Sequence, residues 1–136
     1  MLTVRFYDSV EDHLLQFAVI VSKYRGKWVF CKHRARDTYE CPGGHREEGE
    51  DIFTTAKREL YEETGAADYD IKPICVYSVS SDDDKTETFG MLYYADINKF
   101  EELPGSEIEK IELFDQLPEL WTYPEIQPKL IEKVMK

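Results

Sequence analysis

Cationic side chains are scarce in this sequence: 17 lysines and arginines stand against 28 aspartates and glutamates in 136 residues, a formal charge of −11. A general nucleic-acid or anionic-membrane surface needs cationic patches, so that balance argues against both, and a polyanionic ligand must be met by local cations. Long apolar runs are missing too. Stretches such as Phe17 to Val21 and Trp28 to Cys31 fall far short of the ~18 residues of a bilayer span, and no basic segment followed by an apolar core opens the chain. The sequence therefore reads as that of a soluble, cytoplasmic protein. Cysteine is rare and odd in number (Cys31, Cys41, Cys75), without a C-x-x-C pair, so neither a disulfide framework nor a zinc knuckle is indicated. Linkers, repeats and low-complexity tracts are absent as well, and residues 1–136 are expected to form a single domain.

What is present is an interleaving of short strands and helices. Leu2 to Tyr7, Leu15 to Ser22 and Lys27 to His33 read as strands, the last two joined as a hairpin through Tyr24-Arg25-Gly26. Ile52, Ala56 and Leu60 recur at i+4 between Asp51, a suitable N-cap, and Gly65, which supplies a left-handed residue past the helix end. Strands are predicted at Ile71 to Ser80, Thr86 to Ile97 and Ile108 to Phe114, with a turn at Ser81-Asp82-Asp83-Asp84. A final helix is expected from about Pro124 to Lys136, with Pro124 in its first turn. The predicted class is α/β, a mixed sheet with helices on both faces.

The chemistry concentrates in the first helix. Glu59, Glu62 and Glu63 stand at i, i+3 and i+4, within an arc of about 100° near its C-terminal, negative end, where they repel one another and the dipole. A solvated acidic face with Arg58 paired to Glu62 is one reading; a hard divalent cation held by carboxylates and substrate phosphates is the other. Lys32, His33, Arg34 and Arg36 gather positive charge just before this region and are candidates for binding a triphosphate.

Gly44, Glu50, Arg58, Glu59, Leu60, Glu62, Glu63, Gly65 and Ala66 follow the pattern G-x5-E-x7-R-E-U-x-E-E-x-G-U, where U is a bulky aliphatic residue, with the small Ala66 as the one departure. The pattern resembles the Nudix box. The resemblance implies an α/β/α sandwich around a mixed sheet and Mg²⁺- or Mn²⁺-dependent hydrolysis of a nucleoside diphosphate linked to another moiety. It also implies that Glu59 and Glu63 are metal ligands, Glu62 a further ligand or water-positioner, and the Gly43 carbonyl a backbone ligand. By the same resemblance Arg58 orients the carboxylates, Glu50 pairs with Arg58, and Gly44 and Gly65 serve the motif's backbone. An acid outside the box commonly acts as general base in this family, and Glu107 is chosen over Glu109 and Glu87. Tyr39-Glu40-Cys41-Pro42-Gly43-Gly44 is similar to the lead-in of the 8-oxo-dGTP-cleaving branch, with Cys41 in place of an aromatic. Gln127 is all that the last helix offers where that branch carries an asparagine. The leading expectation is cleavage of a nucleoside triphosphate, 8-oxo-dGTP among the candidates, to monophosphate and pyrophosphate. The alternatives are removal of pyrophosphate from an RNA 5′ end, which the acidity disfavours, and a non-catalytic nucleotide sensor, which has no need of three clustered carboxylates.

Overall fold

A computed structural model describes residues 1–83, 86–105 and 107–136, so Asp84 of the expected turn lies outside the described residues. In chain order the elements are β1 (Leu2–Tyr7), a 3-10 turn (Asp12–Leu14), β2 (Leu15–Tyr24), β3 (Lys27–His33), β4 (Tyr39–Glu40), β5 (Gly43–His45), α1 (Ile52–Thr64), β6 (Ala66–Ser81), β7 (Glu87–Phe100), β8 (Ile108–Phe114) and α2 (Gln127–Met135). The sheet runs β1-β6-β7-β2-β3-β4, with β5 paired to β2 and β8 to β3. It is mixed, because β2 and β7 are parallel while the other pairs are antiparallel.

Alternation along β2 sorts the core into two layers. Ala18 and Ile20 face α1 and pack with Ala56, Leu60, Tyr93 and Ala95, whereas Val21 faces α2 and packs with Phe30, Tyr77, Leu92, Leu130 and Ile131. That gives the expected α/β/α sandwich. The β2–β3 hairpin closes through Arg25 (φ 51°) and Gly26 (φ 81°), between the paired residues Tyr24 and Lys27. Two successive left-handed residues match the twist of a two-residue hairpin turn.

The hairpin does not stay zipped. β2 and β3 pair only at Lys23 with Trp28 and Tyr24 with Lys27; beyond that, β4 takes the edge of β3 and β5 takes the edge of β2. Cys41-Pro42 carries the chain across the resulting split, and Ile20 N–H donates to the Pro42 carbonyl at 2.9 Å. Pro42-Gly43-Gly44 by itself is the composition of a turn, and β4 and β5, two and three residues long, have no periodicity of their own.

α1 has the caps its sequence predicts: Asp51 accepts from Thr54 N–H at 2.7 Å, and Gly65 is left-handed at φ 77°. A methyl on Gly65 would lie 2.5 Å from the Glu101 carbonyl oxygen, so that residue is constrained twice over. α2 begins later than expected, at Gln127, and the proline in its first turn is Pro128 rather than Pro124. Both prolines suit a helix start, and periodicity alone does not choose between them. β6 extends past both predicted ends and β7 past its C-terminal one, because pairing along the whole hairpin, from Ala66 with Phe100 to Ser80 with Glu87, satisfies backbone groups that side-chain alternation does not reveal. Among the described residues no helix is long and apolar enough to cross a membrane.

Candidate active site

The carboxylates of α1 separate into two environments. Positions 55, 59 and 63 form a column beside the fully buried column of Ala56, Leu60 and Thr64, so Glu59 and Glu63 point toward the sheet. Glu62 sits on the outer flank, with its side chain 48% exposed against 13% for Glu59. Opposite them lie Gly43 and Gly44. A methyl on Gly44 would overlap the Glu59 carboxylate, and Gly43 N–H donates to Glu63 Oε1 at 2.9 Å. In a strand a residue's N–H and C=O leave on the same side, so the Gly43 carbonyl also faces α1 rather than β2.

Arg58 ties the loop to the helix. Its Nε and Nη2 reach Glu50 at 2.6 and 3.0 Å, Nη2 donates to the His45 carbonyl at 3.0 Å, and Nη1 lies 3.3 Å from Glu62 and 3.5 Å from Glu59. Glu50 also accepts from Thr55 Oγ1 at 2.8 Å and Glu47 N–H at 3.0 Å. Arg58, helped by those donors, holds the Glu50 carboxyl down at about 2. The opposite holds for the inward pair. Burial, with Glu62 as a like charge beside it, pushes Glu59 up to about 7, although Arg58 pulls the other way. Burial also pushes Glu63 up to about 8, with Glu59, Glu40 and Glu107 adding repulsion against the Gly43 hydrogen bond.

Burial outweighs the charge of Arg58, 3.5 Å from Glu59, so both half-buried carboxylates resist ionisation, and their donors are hard oxygens. Cys31 nearby is a neutral thiol, its pKa raised by burial, and donates to the Glu40 carbonyl at 3.3 Å. That donor chemistry fits Mg²⁺ or Mn²⁺ rather than a soft metal. Among the described residues no group of three or more His, Cys, Asp or Glu side chains is placed to hold a metal ion by itself. A cation at these carboxylates would draw further ligands from water and phosphate.

A cavity of about 590 Å³ next to the helix is lined by Arg58, Glu59, Glu62, Glu63, Glu107 and Ile108. Of the three acids weighed as base, only Glu107 reaches it. Glu109 is bound to Lys32 at 2.9 Å, and Glu87 accepts from Tyr7 and Ser78 hydroxyls on the β1–β6–β7 side. A second cavity, about 310 Å³, opens in the split of the sheet on the α2 face, among Phe17, Cys41, Gly44, Tyr77, Tyr123 and Gln127. Gln127 is buried there and its Oε1 accepts from Cys41 N–H at 2.7 Å, which leaves the side-chain NH₂ as a donor on the cavity wall. Tyr77 and the exact placement of Gln127 escape sequence reasoning, since both depend on which turn of α2 meets β6; Pro128 is the local signal for that start.

The four cations lie in the chain just before this split, and three of them have separate acidic neighbours. Lys32 is committed to Glu109, Arg36 Nη1 reaches the buried Glu40 at 3.0 Å, and His33 Nε2 lies 4.0 Å from Glu107. Arg34 N–H donates to the Glu107 carbonyl at 2.9 Å.

A mixed sheet between two helices sets a glycine pair against inward carboxylates on the helix that follows it, the arrangement implied by the resemblance to the Nudix box. The chain belongs to the NUDIX domain family, whose model matches residues 12–134. It is 35% identical over 101 residues to the Bacillus subtilis (strain 168) protein described as "Putative 8-oxo-dGTP diphosphatase YtkD", covering 74% of this chain and 62% of that protein, so the likeness spans under two thirds of the relative's length. The Bacillus subtilis pyrophosphohydrolase BsRppH, solved as a point mutant, superposes with a TM-score of 0.81 at 26% identity, over 98% of this chain and 89% of that one. A MutT NUDIX hydrolase from Burkholderia pseudomallei shares the fold, with a TM-score of 0.66 at 19% identity over 87% and 95% of the two chains.

Proposed function

We propose that this chain is a divalent-metal-dependent pyrophosphohydrolase that cleaves a nucleoside triphosphate, 8-oxo-dGTP first among the candidates, to the monophosphate and pyrophosphate. The observation that carries the reading is the pair Glu59 and Glu63, turned inward against Gly43 and Gly44 and held above the usual carboxylate range by burial. Family membership and the pyrophosphohydrolase relatives support it. Glu59 and Glu63, with Glu62 and the Gly43 carbonyl, are the groups that would hold Mg²⁺ or Mn²⁺. When bound, such a cation neutralises phosphate charge and acidifies water.

The chain's own residues do the rest. Arg58, fixed by Glu50 and the His45 carbonyl, clamps the loop of Gly43 to Gly49 onto α1 and keeps Glu59 and Glu62 in orientation. Glu107, across the 590 Å³ cavity from Glu63, accepts a proton from the attacking water. Arg36, held beside the site by Glu40, and Arg34 add positive charge for the phosphates. The 310 Å³ cavity takes the base, with Phe17 and Tyr123 as aromatic walls and the Gln127 NH₂ group aimed at a carbonyl acceptor.

The deciding experiment incubates the protein with Mg²⁺ and a panel: the canonical nucleoside triphosphates, 8-oxo-dGTP, ADP-ribose, a dinucleoside polyphosphate and 5′-triphosphorylated RNA. Metal-dependent pyrophosphate release from the free triphosphates is expected. Faster release from RNA would shift the substrate to a 5′ end with the same linkage, and no cleavage product of any kind from any member would leave a nucleotide-binding domain without catalysis.

A further inference from the structure

The strand pairing around Glu107 contains an irregularity whose effect is to aim that side chain. Between β3 and β8 the register runs Lys32 with Lys110 and then His33 with Ile108, so Glu109 is an extra residue on β8. An inserted residue breaks the alternation of faces and bends the strand, a device common beside active sites. Glu109 is drawn to Lys32, whose side chain is only 13% exposed, at 2.9 Å. The next acid along, Glu107, is left beside His33 with its carbonyl fixed by Arg34 N–H at 2.9 Å.

His33 is itself oriented. Its Nδ1 accepts from Ala35 N–H at 3.3 Å, so in the neutral ring the proton resides on Nε2, the nitrogen 4.0 Å from Glu107 Oε2. The His33 side chain is 27% exposed and Glu107 82%. A carboxylate so exposed has many rotamers, and only some of them face the cavity it shares with Glu63. A donor on a β-strand end, turned by a backbone hydrogen bond, selects among them.

We propose that His33 is a positioning residue: its Nε2–H, directed by Ala35 N–H, holds the Glu107 carboxylate toward the water-attack side of the site. This rests on Glu107 being the base, and it gives His33 a role through Glu107 rather than through the substrate. The 4.0 Å separation is beyond hydrogen-bond length in this structure, and catalytic hydrogen bonds that are long without substrate commonly tighten when it binds.

Two measurements test it. The first needs no turnover: ¹⁵N–¹H correlation spectra of the imidazoles at pH 8 in the metal-free protein. His33 is expected as the Nε2–H tautomer, with its Nε2 resonance displaced in Glu107→Gln; an Nδ1–H tautomer, or a spectrum indifferent to Glu107, overturns the proposal. The second is steady-state kinetics with Mg²⁺ and 8-oxo-dGTP. His33→Phe, which keeps the ring shape without a donor, should lower kcat about tenfold with KM within twofold, in keeping with the rate cost of a misplaced group. His33→Gln, whose amide NH₂ stands near the position of Nε2, should recover most of the loss and also serves if the Phe variant folds poorly. Added to Glu107→Gln, the His33→Phe change should cost nothing further. A raised KM at unchanged kcat would make His33 a substrate contact and overturn the proposal. If Glu107→Gln is crippled while His33→Phe is normal, the positioning role fails and the base stands; if Glu107→Gln is itself near normal, the base assignment fails and takes this inference with it.

Discussion

Replacing Glu63 by Gln separates the cost of the site from its use. Gln keeps an Oε1 to accept the Gly43 N–H bond and nearly the same volume, and it removes the charge. The Glu63 carboxyl rises from 4.5 to about 8 in the folded chain. At about 1.4 kcal/mol per tenfold change in acidity, ionising it costs on the order of 4–5 kcal/mol as an upper bound, reduced to a few kcal/mol once water and neighbours adjust. The sign follows from linkage: between about pH 4.5 and 8 the folded state binds the proton that the unfolded state releases, so metal-free stability is fullest below 4.5 and falls as pH rises to about 8. The Gln variant lacks that slope. Metal-free melting curves should therefore be similar at pH 5, with the variant several degrees higher at pH 8, at roughly 3 °C per kcal/mol for a chain of this size. Mg²⁺ should narrow the gap by stabilising the parent alone, while the variant's turnover drops at least a hundredfold. A variant less stable than the parent at pH 8 without metal would refute the picture of a buried, uncompensated charge, and near-normal turnover would refute its role.

Gly44→Ala places a methyl inside the volume of the Glu59 carboxylate, so at least tenfold lower turnover is expected with the fold intact by circular dichroism; an unaffected enzyme would mean that Glu59 need not point inward. Mg²⁺ with a non-hydrolysable triphosphate analogue should raise the melting temperature by more than the two separate shifts together, and simple additivity would argue against a shared site. Glu50, held down at about 2, contributes stability that is present above its unfolded value near 4.5 and lost as pH falls toward 2. Glu50→Gln should accordingly be destabilised at neutral pH and converge with the parent in acid; a deficit that persists unchanged at pH 2 to 3 would assign it to packing instead.

The sequence alone determined whatever is local. The bounds of α1 follow from Asp51, the i+4 stripe and Gly65, because capping and periodicity act within a few residues. The Arg25-Gly26 turn and the spacing of Glu50, Arg58, Glu59, Glu62 and Glu63 follow in the same way, and with them the expectation of a divalent metal. Tertiary structure decided everything that depends on which strand lies beside which. The i, i+3, i+4 glutamates share an arc on the helix, yet only packing against Gly43 and Gly44 turns Glu59 and Glu63 inward and leaves Glu62 outside. Glu87, Glu107 and Glu109 are alike in sequence, and the extra residue at Glu109 in the β3–β8 pairing separates them by a reversal of face that no one-dimensional pattern records. The cations before the box read as one phosphate-binding group, and the folded chain pairs Lys32 with Glu109 and sets His33 beside Glu107 from a distant strand, while Arg36 pairs locally with Glu40. Charge and hydrogen-bonding capacity are written residue by residue; direction and partnership arise only when strands distant in sequence are brought to within ~5 Å of one another.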